Sequence, residues 1–292
     1  MTFSATDAAF EGFRLTRRKP LAVLLWGLVY VLMILAVFGL IGGPIISFFA
    51  EMQRLQGAAE PSMEALQALL PIYGAFAAVL PVVFVFSAVL NAAVTRAVVR
   101  PKESAFGYLR LGMDEVRVLG VSLVLGIVFG FVSLVGWSIV GFVAGMAAVT
   151  EQGLLVLAAV LLGLAMVAGL IWLAVRFSLA IPIVVAERRF AVFDSFAMTK
   201  GRFWPLLGMA IIAFVLATIV GLLGGIVFLP VTLMTGGMEQ LAQFEGAPLQ
   251  EVITAAAPAL IAYAVVNGVL SALQLAIMYA PFSAAYRDIK AG

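Results

Sequence analysis

The 292-residue sequence has no cysteine and no histidine. Without cysteine there is no disulfide, no thiol redox chemistry and no thiolate metal ligand. Without histidine the commonest general base and metal ligand are missing, so a zinc site, a histidine-ligated haem or a histidine-based triad cannot be assembled. Charge is scarce as well: 11% of residues are Asp, Glu, Lys or Arg, against about a quarter in ordinary soluble domains. No carboxylate lies deep in an apolar run, which argues against proton-coupled pumping. Phosphate-binding glycine loops, dinucleotide patterns and paired carboxylates are missing too. The chain is expected not to be an enzyme and to need no cofactor or metal.

What fills the space is hydrocarbon. Hydrophobic residues make up 64% of the chain, more than a water-soluble fold of this size can hide, so the solvent is lipid. Six apolar runs stand out, at 21–49, 68–98, 118–149, 154–175, 206–229 and 257–280. As a helix the first would be about 44 Å long, against roughly 30 Å of bilayer hydrocarbon, and it is expected to tilt or to bend at Gly42-Gly43-Pro44. Residues 1–20 hold acidic residues and no short apolar run with a small-residue cleavage site, so they do not read as a signal peptide and the first span is expected to be retained.

The cations decide orientation. With the N-terminus cytoplasmic, sixteen of the seventeen Lys and Arg residues fall on the cytoplasmic side and only Arg54 falls outside. The reading is an all-α integral membrane protein with six transmembrane helices and both termini in the cytoplasm. The net charge of +2 gives no reason to invoke nucleic acid.

The stretch 176–205 holds five of those cations between two spans and reads as a cytoplasmic elbow. Its pattern recurs. AFEGFRLTRRKP from Ala9, AFGYLRLGMDEVR from Ala105 and VFDSFAMTKGRF from Val192 align Phe10, Phe106 and Phe193, then Leu15, Leu111 and Met198, and each leads through basic charge into a span. This predicts three tandem units, about 1–98, 99–187 and 188–292, each an interfacial amphipathic helix followed by a hairpin, within one membrane domain. In the second unit the helix is expected within Arg96 to Arg117.

From Arg176 to Gly208, Pro182, Glu187, Phe193 to Phe196 and the run Thr199-Lys200-Gly201-Arg202-Phe203-Trp204 resemble bacterial polytopic proteins grouped with the membrane domain of glycerophosphoryl diester phosphodiesterases and related inner-membrane proteins. The resemblance implies the membrane part alone. The soluble diesterase domain of fused members has no counterpart here, because no segment between spans is long or polar enough.

Candidate sites follow from polar residues in apolar surroundings. Arg176 ends the fourth run, yet ten apolar residues follow it; it is either an anion or lipid-phosphate contact or a snorkelling side chain. Arg188, Arg189, Lys200 and Arg202, with Arg100, Lys102 and Arg110, form either a collar for anionic lipid or a partner protein, or simple topology determinants. Asn91, Asn267, Ser271 and Gln274 are polar groups within spans; the last three share a face and either line a groove or fix packing, the latter being favoured. Gly126 with Gly130 and Gly141 with Gly145 have the GxxxG spacing that lets helix backbones approach. Expected partners are membrane lipids and a protein partner in the membrane. Function reads as noncatalytic organisation of lipids or a partner, with a passive lipid or small-amphiphile conduit as the alternative.

Overall fold

A computed structural model describes residues 4–55, 63–234 and 249–291. These residues contain no strand. The elements are α1 (Ala5–Ala9), α2 (Glu11–Arg18), α3 (Pro20–Leu55), α4 (Met63–Val99), a 3-10 turn (Ala105–Tyr108), α5 (Met113–Thr150), α6 (Gly153–Phe177), α7 (Ala180–Glu187), α8 (Asp194–Thr199), α9 (Phe203–Met234) and α10 (Leu249–Ala291). Six helices are long and apolar enough to cross a membrane, so this is a multi-pass membrane protein.

The spans form three antiparallel hairpins, α3 with α4, α5 with α6, and α9 with α10. Around the bundle the order is α9, α10, α3, α4, α5, α6, and α6 touches α9 only slightly. Because every hairpin starts and ends on the same side, Ser4 and Ala291 share one end of the molecule. That end carries sixteen cations and eight carboxylates, a net +8; among the described residues the opposite end has Arg54 with Glu51, Glu64, Glu151 and Glu251.

Packing is concentrated toward the basic end. Trp26, Leu90, Val94, Leu179, Ile183, Leu206, Met209 and Ala280 are buried there in one cluster with Ala8, Ala9 and Leu15 of the first two helices. Glycine sets the closest crossings. A Cβ on Gly12 would lie 2.4 Å from the Ile277 Cα, and one on Gly268 would lie 2.8 Å from the Gly27 carbonyl oxygen. By contrast, the most apolar window of α6 has 0% of its residues buried and that of α5 11%. Leu134, Phe142, Leu161 and Leu164 project outward, a surface that only lipid can cover at no cost.

Several boundaries differ from the expectation. The α3 helix does not stop near Phe49 but continues through Gly42-Gly43-Pro44 to Leu55; a proline inside a span is tolerated where neighbours resatisfy the freed carbonyl. The fifth span runs on past Pro230 to Met234. The last helix also overruns, through Pro281 to Ala291, so the expected tail is helical. The apolar residues after Arg176 make a short kink at Ser178–Leu179 and then α7, whose Ala180, Ile183, Val184 and Val185 are fully buried among α4, α5 and α10.

The interfacial helix expected between Arg96 and Arg117 is absent. Phe106, Gly107 and Tyr108 all have positive φ, which ends helical geometry. Three bonds hold this costly backbone: the Trp26 indole donates to the Gly107 carbonyl at 2.8 Å, the Tyr108 hydroxyl donates to the Pro101 carbonyl at 3.0 Å, and Arg96 donates to the Tyr108 carbonyl. The aligned positions diverge accordingly. Leu15 is buried, whereas Leu111 is 87% exposed.

Candidate functional site

The basic end is built on Arg96. It occupies the last turns of α4 and is fully buried, because the turn at 105–108 folds over it. Its guanidinium donates to the Glu115 carboxylate at 2.6 Å and lies 3.5 Å from Asp114. Both acids sit in the first turn of α5, where the helix N-terminus favours negative charge. Glu115 also accepts a bond from the Gly112 amide at 3.0 Å. From the sequence, Arg96 is expected to open an amphipathic helix in the headgroup layer. The signal for its burial was an Arg within the apolar run NAAVTRAVV, with an adjacent acidic pair opening the next span.

Around this pair the charges interlock. Arg100 donates to Asp114 at 2.9 Å and to the Val185 carbonyl of α7, tying α4 to the central elbow. Glu103 accepts Arg110 and Arg188, each at 2.9 Å. Burial pushes the Glu103 carboxyl up, but Arg100, Arg188 and Arg110 outweigh it and hold the group below its ordinary value. Glu187 accepts Lys290 and Arg189 at 2.7 Å and the Tyr286 hydroxyl at 3.1 Å, fastening α10 to α7.

At the start of the chain, Arg14 bridges Asp7 at 2.7 Å and Glu11 at 2.9 Å. The Arg14 hydrogen bond holds the Asp7 carboxyl below its ordinary value of 3.8. A depressed carboxylate contributes stability above its unfolded pKa and loses it as pH falls through the folded value. Protection of the α1 amides, taken relative to the intrinsic exchange rate at each pH, is therefore expected to fall below about pH 4, and Asp7→Asn should remove that pH dependence. Unchanged protection from pH 6 to pH 3 would refute the assignment.

The eight cations singled out in the sequence divide into two groups. Arg100, Arg110, Arg188 and Arg189 are held by carboxylates. Lys102, Arg176, Lys200 and Arg202 have none among the described residues, and neither do Arg17, Arg18 and Lys19. Arg176 is the most confined of the group. It lies 5.4 Å from the Trp172 ring, with long contacts of 3.5 Å to the Phe196 carbonyl and 3.4 Å to Thr199 Oγ1, and its buried Nε has no partner. It stands where α6 and α9 barely meet.

The polar residues within spans also separate. Gln274 donates to the Ala217 carbonyl of α9 at 3.2 Å, a packing bond. Asn267 lines a pocket of about 200 Å³ with Gln274, Gly221, Gly224 and Tyr263; Ser271 does not line it. Asn91 lines a larger cavity on the other side of the bundle. The GxxxG glycines do not mediate packing within the chain: Gly130, Gly141 and Gly145 have open space where a Cβ would stand, and Gly126 has only Phe84 at 3.9 Å. The closest approaches to another helix's backbone fall instead at Gly12 and where Gly268 meets Gly27, which have no such spacing.

Compared with protein-family models, curated proteins and solved structures, the chain matches none. Functional assignment rests on the geometry. Among the described residues no group of three acidic residues is placed to hold a metal ion.

Proposed function

We propose that this is a noncatalytic protein of the bacterial inner membrane whose cytoplasmic end gathers anionic lipid headgroups. One observation carries the reading. Arg17, Arg18, Lys19, Lys102, Arg176, Lys200 and Arg202 have no carboxylate partner among the described residues and all lie at one end. The exposed rings of Phe106, Phe190, Phe193 and Trp204 lie at the same end, as interfacial anchors would. Each cation near an anionic surface contributes about 1 kcal/mol. Arg176 adds an oriented site, because a lipid phosphate would complete a guanidinium that the chain leaves half-served. Three tandem units, both termini in the cytoplasm, and kinship with the membrane part of the diesterase-associated family belong to the same proposal.

The test is native mass spectrometry of protein extracted from mixed phosphatidylethanolamine and phosphatidylglycerol nanodiscs. Wild type should retain phosphatidylglycerol preferentially. Arg176→Gln with Lys200→Gln and Arg202→Gln should lose most of that preference while remaining monodisperse. Equal retention of both lipids by wild type would overturn the reading, and stoichiometric copurification of an acidic protein would replace lipid with a protein partner.

The sequence's second reading, a passive conduit, draws support from the two membrane-level pockets. They share no lining residue, so a conduit would need them to join. Lipid scrambling above that of protein-free vesicles would favour it.

A further inference from the structure

A cavity of about 430 Å³ lies between α4, α5, α10 and the α6–α7 kink. Its walls are mainly apolar, with Leu125, Phe129, Phe177, Ile181, Met278 and Phe282. Asn91, Thr95, Ser122 and Tyr279 also line it, and none of the four makes a side-chain hydrogen bond among the described residues. Asn91 is 8% exposed and its Oδ1 is buried without a partner. Thr95 is 2% exposed.

Several helical hydroxyls elsewhere in this chain are served by their own backbone, although Ser283 Oγ is also buried without a partner. Thr16, Ser138, Thr150 and Thr218 each donate to the carbonyl four residues earlier. Thr95 and Ser122 do not, although the same carbonyls are within their reach in any helix. Unserved polar groups in a low-dielectric interior are costly, and here they converge on one space from three separate helices.

No Asp, Glu, Lys or Arg lines the cavity. The two cations adjacent in sequence to lining residues are engaged elsewhere: Arg96 with Glu115, and Arg176 with the Phe196 carbonyl, Thr199 and the Trp172 ring. A charged ligand would find no counter-ion there, so the occupant is neutral. Asn91 Oδ1 requires a donor, while the Asn91 amide nitrogen and the hydroxyls of Thr95, Ser122 and Tyr279 offer donors of their own. Apolar walls at the depth of the upper acyl chains call for hydrocarbon beside that polar end. The volume falls within the range of small-molecule sites.

We propose that this cavity binds an uncharged lipid whose polar end carries both a hydroxyl and carbonyl groups, the chemistry of a diacylglycerol. The site is separate from the basic collar, and the proposal stands whether or not that collar holds anionic lipid.

The experiment uses the full chain in nanodiscs and a diacylglycerol bearing a photoactivatable diazirine in one acyl chain. Labelling should map to peptides containing 122–129 and 278–282 and should be suppressed by dioctanoylglycerol. Dioctanoyl phosphatidate, which carries charge, and trioctanoylglycerol, which lacks the hydroxyl, should compete at least tenfold less well. Asn91→Leu with Thr95→Val should lower labelling about tenfold. Absence of suppressible labelling in those peptides would mean that the cavity holds water alone and would overturn the assignment; so would equal competition by all three competitors. If the double variant does not fold, competition on wild type decides by itself.

Discussion

Glu115→Ala is expected to be the most damaging single substitution in this protein. It would leave Arg96, with 0% of its surface exposed, facing only Asp114 at 3.5 Å and the Tyr108 carbonyl. Removing one partner of a buried ion pair typically costs about 3–5 kcal/mol, because the remaining charge has lost both water and counter-ion. The Asp114 carboxylate, shared with Arg100 and Arg117, moderates the loss toward the lower end of that range. Replacing both members by residues of similar volume, Arg96→Met with Glu115→Leu, should recover most of the stability. The measurement is thermal unfolding in a fixed detergent, following tryptophan fluorescence. If the single substitution proves as mild as the double, the pair is not the keystone described above. The Trp26 indole provides a local readout, because it bonds to Gly107 in the turn that covers Arg96.

The second large effect concerns glycine. Gly12→Ala would bring a methyl group to 2.4 Å from the Ile277 Cα, and Gly268→Ala would bring one to 2.8 Å from the Gly27 carbonyl oxygen. These obstacles are backbone atoms, so neither side can yield without moving a helix. Overpacking of this kind costs about 1–3 kcal/mol. Gly141→Ala and Gly145→Ala, which meet nothing within 4 Å, should be neutral or stabilising by up to about 1 kcal/mol through helix propensity. A melting series on the four variants checks the contrast. Destabilisation by Gly141→Ala comparable to that of Gly12→Ala would show that the α5 glycines meet another surface, such as a second copy of the chain.

Six spans were legible in the sequence because lipid imposes one requirement on every crossing, a long apolar helix whose backbone satisfies itself. The cations sorted to one end were legible for a similar reason, since position along the chain suffices to assign them a side. Helix ends were less so. Hydropathy reports where polarity begins, whereas α3 and α10 continue as helices after their sequences turn polar.

Pairing was hidden for a different reason. Nothing in the spacing of Arg100 and Lys102 says that one is bound by Asp114 and the other by no acid; that depends on which faces the turn at 105–108 brings together. The GxxxG stripes on α5 meet almost nothing among the described residues on the same ground. Spacing identifies a smooth stripe but not its neighbour, and the crossings that need glycine pair residues remote in sequence. The α7 segment carried a partial signal. Ten apolar residues after Arg176 were too many for a loop, and they form the most buried short helix of the bundle.

The crossing of Gly27 with Gly268 bears on how the protein is made. When the first hairpin leaves the ribosome, the surface on which α2 and α3 will rest has not been synthesised, and about 240 residues separate the two glycines. At elongation rates of about 5–20 residues per second, that interval lasts roughly 12–50 seconds. For that time the N-terminal hairpin must be sheltered by lipid or by the insertion machinery, and the arrival of α10 is the event that closes the bundle.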